Sequence, residues 1–433
     1  PRPPLLVFRA VRAIDPAVAL DATVDVVIES GTITRVGLDA GSSTVHAEAA
    51  VVIEGDGLWL LPGLVEIHAH LREPGFEHKE DIATGLAAAA AGGYAHLCAM
   101  PNTSPVCDTP EAIHRVIARA RSLGGPRLHP IAAVTTGLAG TDLTDLRALR
   151  DAGAVAFSDD GRCVMSGELL RRALLAAREL DAPIIQHAED HTMTVGTVMH
   201  EGAVSRRLGV RGWPREAEDG IVARDLEIAA CTGGHYHLAH ASTRGSVRLI
   251  RAALERGLSV TAEAAPHHLL LTEAQIGTSG AQAKVNPPLR EGEDVAALRD
   301  ALRDGTVSCV ATDHAPHAAE EKARGLLDAP PGMIGLELCL PLMMRLVEAG
   351  ALRLDRLIDA LTAAPSRVIG IAAPSIRVGA RADLCLFDPQ ECWSPGRAGL
   401  RSRSRNTPFL DDTLRGRVRL CIADGVICFE LAR

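Results

Sequence analysis

The sequence predicts an α/β fold in which an eight-stranded parallel barrel is accompanied by a small β-rich unit. Three observations support this prediction. Short apolar strands alternate with longer helical stretches through the middle of the 433-residue chain, both ends carry alternating β patterns, and 47% of the residues are hydrophobic although only 3% are aromatic. An aliphatic core in a repeating order of strand and helix is typical of a parallel barrel with its helices outside.

The β-rich ends are broken by turn residues at short intervals. The first sixty residues contain LLVFRAVRAI, VDVVIESGTITRVG and STVHAEAAVVIEG, and the last sixty contain ADLCLFDP and RGRVRLCIADGVICFE. Such short alternating runs predict antiparallel strands. We therefore expect residues 1–60 and 372–433 to pair into one small β-sandwich domain, and residues 61–371 to form a (β/α) barrel of the TIM type.

Eight candidate strands follow one another in the central part. They are GLVEIHAHL, AHLCAMPN, RLHPIAAVT, GAVAFSDDG, APIIQHAED, YHLAHAST, LSVTAEAAP and VSCVATDHAP. Helical stretches such as SGELLRRALLAAREL lie between them, with apolar residues at spacings of three and four. Nearly every strand ends in polar residues, and the carboxyl ends of barrel strands share one rim, so the chemistry is predicted there.

Charge and composition argue against several classes of partner. The formal net charge is −9 without a clustered basic face, which gives no reason to expect nucleic acid. No run of eighteen apolar residues occurs, and the stretch PRPPLLVFRAVR lacks the features of a signal peptide, so we expect a soluble, cytoplasmic protein with no membrane partner. The ten cysteines are scattered and predict reduced core residues.

The motif EIHAH is the strongest local signal for a metal. Residues two apart in a strand face the same side, so His68 and His70 could share one ion. A pair of hydrogen-bonded core histidines would give the same motif, so HxH alone leaves both interpretations open. Later strand ends add His187, His240 and Asp313. Imidazole and carboxylate donors at matching places predict a divalent site, with zinc favoured and manganese or cobalt as alternatives.

Six motifs in order resemble a known group of enzymes. They are PGLVEIHAHLREPG at 62–75, MPNT at 100–103, FSDDG at 157–161, HLAHAST at 237–243, KVNPPLR at 284–290 and ATDHAPH at 311–317. From about residue 50 to its end the chain resembles the amidohydrolase superfamily and, more narrowly, the class I bacterial dihydroorotases. The resemblance implies a zinc-dependent cyclic amidase that interconverts L-dihydroorotate and N-carbamoyl-L-aspartate in pyrimidine biosynthesis.

The strand-four motif FSDDG separates class I from related enzymes. Many relatives bridge two metals with a carboxylated lysine at this place. The class I enzymes, which this chain resembles, use an aspartate there instead. The chain has only three lysines: Lys79, Lys284 and Lys322. None of them lies near strand four. In the family the bridge precedes the strand-five histidine by 27 positions, which from His187 implies Asp160 and leaves Asp159 a supporting or turn-capping role.

The resemblance implies a ligand set and one catalytic residue. One metal would be held by His68, His70, Asp160 and Asp313, and a second by Asp160, His187 and His240. One or two zinc ions are expected, with two favoured. Asp313 would also take the proton of the attacking water and pass it to the leaving ring nitrogen.

Substrate recognition is implied for residues that do not bind metal. Arg72 and Asn102 would hold the substrate carboxylate, although on their own they could equally be a surface arginine and a turn asparagine. The other implied contacts are His70, Asn286, His317 and the backbone of Pro331 and Gly332. Two residues depart from the family, namely Glu66, which we expect to face away from the metals, and Pro331, which lies beside the implied ring-binding backbone in a polar stretch that could be a lid. We call this stretch the rim segment (residues 317–332).

Two rival interpretations stay open on the sequence alone. The same chemistry could act on another ring, as in hydantoinases, dihydropyrimidinases and allantoinases, but Arg72 would then have no carboxylate to bind. Alternatively, some dihydroorotase-like chains are non-catalytic scaffolds for aspartate transcarbamoylase, yet this chain retains all six implied ligands. We expect a homodimer, with association with aspartate transcarbamoylase as a further expectation.

Overall fold

A computed structural model describes residues 5–41 and 50–432 of the chain. Part of the predicted strand STVHAEAAVVIEG, residues 43–49, lies outside the described residues. The rest of that strand is present as Ala50–Glu54.

The described part of the chain contains eighteen strands. They are β1 (Leu5–Asp15), β2 (Leu20–Glu29), β3 (Thr32–Gly37), β4 (Ala50–Glu54), β5 (Trp59–Pro62), β6 (Leu64–Ala69), β7 (Tyr94–Ala99), β8 (Arg127–Ala132), β9 (Ala156–Ser158), β10 (Ile184–Gln186), β11 (Met199–His200), β12 (Gly212–Trp213), β13 (Tyr236–Leu238), β14 (Val260–Ala264), β15 (Cys309–Val310), β16 (Leu384–Trp393), β17 (Leu414–Ala423) and β18 (Val426–Glu430).

Seventeen α-helices occur in the same described ranges. They are α1 (Ile82–Ala91), α2 (Pro110–Leu123), α3 (Leu146–Asp151), α4 (Gly167–Arg178), α5 (His191–Thr194), α6 (Ala203–Leu208), α7 (Glu216–Thr232), α8 (Arg244–Glu255), α9 (Pro266–Leu270), α10 (Gln275–Ser279), α11 (Gly292–Asp304), α12 (Ala319–Lys322), α13 (Gly325–Asp328), α14 (Cys339–Glu348), α15 (Leu354–Leu361), α16 (Ala363–Ile369) and α17 (Pro395–Ala398).

Strands from the two ends of the chain form one sheet. Its order is β18-β17-β16-β5-β1-β2-β3, and β4 pairs in parallel with β1. A separate apolar core belongs to this sheet and includes Phe8, Val26, Leu60, Leu384 and Leu420. The predicted pairing of the ends is therefore present, whereas the domain boundaries at residues 60/61 and 371/372 stay a prediction.

The eight central strands form a parallel sheet in the order β15-β14-β13-β10-β9-β8-β7-β6. A parallel bridge joins Ala69, at the end of the first strand, to His314, just beyond the last. The amide of His70 donates to the carbonyl of His314 at 2.8 Å, which closes the sheet into a barrel. All eight predicted strands are present, and the predicted fold class is confirmed.

Local sequence signals explain how helices follow these strands. Ser166 and Thr243 stand just before α4 and α8, and each hydroxyl accepts a hydrogen bond from a backbone N–H of the first turn. Such caps satisfy amides that have no partner inside the helix. Helix α8 then buries Val247, Ile250 and Ala253, which recur every three residues and face the barrel.

The end of the barrel opposite the polar rim is closed by apolar packing. Val368 and Ile369 of α16 pack in one buried cluster with Val65, Ile67 and Cys309 of the barrel strands. The polar residues at the carboxyl ends of the strands therefore lie at the end of the barrel away from this apolar cluster. In the described ranges, no helix is long and apolar enough to cross a membrane.

Candidate metal centre and substrate site

The barrel brings the predicted ligands together at the carboxyl ends of five strands. His68 lies near the end of β6, Asp160 follows β9, His187 follows β10, His240 follows β13, and Asp313 follows β15. Their exposed fractions are 0%, 2%, 2%, 3% and 6%. Five polar residues buried at one rim need partners to offset the cost of leaving water.

The donor atoms fall into two groups that share one carboxylate. The first group is His68, His70 and Asp160, and the second is Asp160, His187 and His240; within each group the donor atoms lie within 4.8 Å of one another. Asp313 belongs to neither group, but its Oδ1 lies 3.2 Å from His70 Nε2 and 3.6 Å from His68 Nε2. The position of Asp160 between the groups is the one expected of a bridge.

The spacing of these atoms suits a small cation. Asp160 Oδ1 lies 3.4 Å from His68 Nε2, 3.4 Å from His187 Nδ1 and 3.3 Å from His240 Nε2, and Asp160 Oδ2 lies 3.4 Å from His70 Nε2. Ligands that sit about 2.0–2.2 Å from a tetrahedral zinc ion are about 3.3–3.6 Å apart. The observed separations match that spacing.

Hydrogen bonds on the far side of the rings decide which nitrogen faces the centre. His68 Nδ1 contacts Glu263, and His187 Nε2 lies 3.0 Å from Glu189 Oε2. Since these oxygens accept, the ring nitrogens beside them carry a proton, and the opposite nitrogens face Asp160. His68 Nε2 is buried without a hydrogen-bond partner among the described residues, and it faces the Asp160 carboxylate. A cation, either a proton or a metal ion, between this nitrogen and the carboxylate would satisfy both, so the residues fit a metal.

The carboxylates and imidazoles of the centre favour each other's charged forms. Burial alone would raise the pKa of Asp160, but His68, His187 and His240 hold that pKa well below its usual range. Burial alone would lower the pKa of His68, but the Glu263 and Asp160 carboxylates raise it. The centre therefore favours positive charge among its carboxylates.

Three residues of the centre have a strained backbone. Arg72, His240 and Asp313 have φ angles of 65°, 30° and 46°. A positive φ is unfavourable for residues with a side chain and persists where the surrounding structure enforces it, which is common at functional sites. All three residues lie within three positions of the end of a barrel strand.

Arg72 and Asn102 lie beside the first donor group. Arg72 donates from Nε to the carbonyl of Pro316 at 3.2 Å, and burial lowers the pKa of Arg72 to about 10. The Asn102 oxygen lies 2.9 Å from His70 Nδ1. Asn102 thus uses its oxygen toward His70, and its amide nitrogen takes no part in that contact.

The other implied substrate residues line the same rim. Asn286 donates from Nδ2 to Glu189 at 3.1 Å, while its Oδ1 is buried without a partner in the described part of the chain. Asn286 therefore presents an acceptor. His317 Nε2 lies 2.9 Å from the carbonyl of Pro331, which places His317 against the backbone of Pro331 and Gly332.

Sequence reasoning missed several residues that hold this arrangement. Glu263 lies in the apolar run LSVTAEAAP, and a single acid in such a strand was the available signal. Asn406, from the C-terminal segment, accepts from His317 N at 3.0 Å and donates to the carbonyls of Ala315 and Gly332 at 2.9 and 3.0 Å. Asn406 lies in the run RSRSRNTPF, which belongs to the part of the chain that resembles the family but carries no spacing that indicates a contact at the rim.

Two carboxylates near the ligands have supporting positions. Asp159 accepts from the amide and hydroxyl of Thr135, as expected for a supporting residue. Glu66 is fully buried and accepts from the amides of His68 at 2.8 Å and Thr312 at 3.0 Å. Glu66 thus belongs to neither donor group, yet it ties the first strand to the residues that follow the last one.

Comparison with known proteins identifies the family. A family model described as dihydro-orotase-like matches residues 57–246. The chain is 45% identical over 421 residues to the dihydroorotase of Syntrophotalea carbinolica, with 97% of this chain and 98% of that protein covered. The chain belongs to the dihydroorotase family. The family's member in Trichlorobacter lovleyi is 40% identical over 425 residues, with 98% and 99% covered.

Solved structures share the architecture. An L-hydantoinase (dihydropyrimidinase) from Arthrobacter aurescens aligns with a TM-score of 0.86 at 23% identity, covering 98% of this chain and 96% of that one. A dihydropyrimidinase from Brevibacillus agri aligns with a TM-score of 0.85 at 23% identity, covering 98% and 95%. At this identity the likeness supports the barrel fold.

Proposed function

We propose that the chain is a metal-dependent cyclic amidohydrolase that interconverts L-dihydroorotate and N-carbamoyl-L-aspartate in de novo pyrimidine biosynthesis. The observation that carries the proposal is a pair of buried donor groups joined by Asp160, with the guanidinium of Arg72 at their edge. The donor groups suit amide hydrolysis, and the guanidinium suits a ring that bears a carboxylate.

We further propose the class I arrangement, with two zinc ions and Asp160 as the bridge. The three lysines support this, because Lys79, Lys284 and Lys322 all contact the rim segment or its immediate neighbours. No lysine is therefore available to act as a modified bridge at strand four. Divalent ions held by the six ligands would lower the pKa of a water molecule and polarise the amide carbonyl.

Asp313 is proposed to move the proton. Its Oδ1 lies 3.2 Å from His70 Nε2, at the edge of the first donor group. In hydrolysis an oxygen of water bonds to ring carbon C4, the bond between C4 and N3 breaks, and Asp313 carries a proton from the water to N3. The products are a carboxylate at C4 and the amide end of the carbamoyl group, and the second proton of the water is released to solvent, which balances the reaction.

The remaining polar groups are proposed to orient the ring. Arg72 and the amide nitrogen of Asn102 would bind the substrate carboxylate, and Asn286 Oδ1 would accept a ring N–H. His317 would contribute through its contact with Pro331, and the backbone of Pro331 and Gly332 would border the ring. This arrangement would bring the scissile amide to the donor groups.

Substrate preference tests the proposal. We expect the wild-type protein to hydrolyse dihydroorotate far better than dihydrouracil or allantoin. We expect Arg72→Met to raise KM for dihydroorotate about 30- to 150-fold, since a charge-assisted contact in a buried site contributes about 2–3 kcal/mol. Steady-state kinetics on the three substrates provide the measurement.

A nearby arginine provides the control. Arg119 on α2 pairs with Glu73 on the surface, and its side chain is 46% exposed. Arg119→Met should therefore leave the kinetics unchanged. A wild-type preference for a neutral ring would instead identify a hydantoinase, dihydropyrimidinase or allantoinase activity.

The partners of the chain and its location are further proposals. We propose a homodimer and association with aspartate transcarbamoylase while the chain keeps its own activity; a cytoplasmic location stays a prediction. We expect light scattering to give twice the mass of 45.6 kDa. Turnover that appears only after aspartate transcarbamoylase is added would contradict an autonomous enzyme, and metal-free, inactive protein in every preparation would favour a scaffold.

A further inference from the structure

The rim segment is held by lysine side chains. Lys322 ends α12 and is 3% exposed, although lysine is the residue type that most readily stays in water. Its Nζ donates to the carbonyls of Pro330 and Gly332 at 3.0 Å each and to the carbonyl of Lys284 at 3.4 Å. Three backbone carbonyls thus surround one buried amine.

These contacts fix a short stretch of backbone from both sides. The carbonyl of Pro331, between the two that Lys322 binds, lies 2.9 Å from His317 Nε2. The amide of Gly332 donates to the carbonyl of Lys284 at 2.9 Å. Every carbonyl from Pro330 to Gly332 therefore has a side-chain donor, and the stretch cannot shift without breaking several bonds.

The backbone conformation of Gly332 explains why the stretch from Pro330 to Gly332 needs hydrogen bonds from side chains. Its φ is +135°, and a Cβ there would lie 2.7 Å from the Cβ and 2.9 Å from the carbonyl oxygen of Ala315. A glycine with such freedom adopts many conformations unless other groups restrain it. The amine of Lys322 is in a position to supply that restraint.

Burial changes the pKa of the Lys322 amine. Desolvation, with a contribution from the nearby Lys284 cation, lowers the pKa of Lys322 to about 7. The described contacts of Lys322 Nζ are all to backbone oxygens, so it acts as a donor to the backbone and not as half of an ion pair.

We propose that Lys322 is a positioning residue that sets the backbone of Pro331 and Gly332 for contact with the substrate. The inference rests on the proposed function, because that function assigns this backbone to the substrate ring. Lys322 does not touch the substrate itself. It acts through the two carbonyls that it binds.

Lys284 offers a matched control in the same segment. Its Nζ donates to the carbonyls of Leu326 at 2.8 Å and Leu327 at 3.0 Å. Lys284→Met removes one side-chain ammonium group, as Lys322→Met does. However, it frees the outer part of the rim segment, where Leu327 is 63% exposed, and leaves the stretch from Pro330 to Gly332 bound.

The experiment compares Lys322→Met, Lys322→Gln and Lys284→Met in the full chain loaded with zinc. We expect Lys322→Met to raise KM for dihydroorotate about tenfold while kcat changes less than about threefold. Lys322→Gln should recover part of the loss because its amide can still donate. Lys284→Met should stay within about twofold of wild type, and metal content should be equal in all variants.

Amide hydrogen exchange gives a readout that needs no substrate. We expect the Gly332 amide to exchange at least about tenfold faster in Lys322→Met and at the wild-type rate in Lys284→Met. Equal effects of the two methionine variants on KM and exchange would overturn the proposal, as would loss of folding by both Lys322 variants. If the wild type fails to hydrolyse dihydroorotate, the proposed function fails, while the exchange comparison still decides the role of Lys322.

Discussion

Asp160→Ala is expected to lose bound metal and to lower turnover at least about 1,000-fold, since metal ions contribute several kcal/mol to such reactions. Asp160 is the residue common to both donor groups. Its removal takes one ligand from each group at once and leaves four imidazole nitrogens without their shared carboxylate. Metal analysis and a dihydroorotate assay on the same preparation measure the two effects together.

The neighbouring aspartate is a stringent control for this experiment. Asp159 is as deeply buried as Asp160, at 2% exposure, but accepts from the amide and hydroxyl of Thr135. We expect the Asp159→Asn variant to keep its bound metal and to lose less than about tenfold in turnover. The substitution weakens only the hydrogen bonds of residue 159 with the uncharged Thr135. Full metal occupancy with normal turnover in Asp160→Ala would refute the bridge.

Asp313→Asn is expected to lower kcat about 100- to 10,000-fold, the range that general acid–base catalysis contributes. Asparagine keeps the size of the side chain and one oxygen, but it cannot carry a proton. Because Asp313 lies outside both three-residue donor groups, most of the metal should stay bound. Comparison of kcat per bound metal ion separates a catalytic effect from loss of metal.

A rim aspartate away from the centre serves as the comparison for Asp313. Asp108 accepts from the amide of Gly137 at 2.8 Å and has no place in the donor groups. Asp108→Asn should leave kcat within about twofold of wild type, as surface substitutions generally do. If Asp313→Asn kept normal turnover per metal ion, the proton would have to move through another group.

Local patterns predicted the barrel well because each strand and helix is short and carries its own signal. The eight candidate strands, the spacing of His68 and His70, and the polar strand ends follow from periods of two and from the shared rim of a parallel barrel. The bridging aspartate was harder to predict, since FSDDG offers two adjacent candidates. Only the family spacing distinguished Asp160 from Asp159. The structure places Asp160 among the imidazoles and Asp159 against Thr135.

The supporting residues were not predictable in the same way. Glu263 orients His68 from 195 positions away, and Asn406 reaches Gly332 across 74. A buried acid or amide gives no periodic signal in the sequence. It is stabilised by a hydrogen bond to a residue that is distant in the chain, and not by its sequence neighbours. Glu66, expected to face away from the metals, is likewise explained only by its contacts with the amides of His68 and Thr312.

The sequence by itself determined the order of strands and helices, the residues at the strand ends and the chemical type of the donors. These are consequences of local patterns and of the rule that parallel strands share one edge. Only the tertiary structure decided which ring nitrogen faces the centre, which oxygens orient the rings and which amine holds the backbone at Gly332. Those choices depend on hydrogen bonds between residues far apart in the chain, and a buried polar group is stable only where such a partner is present.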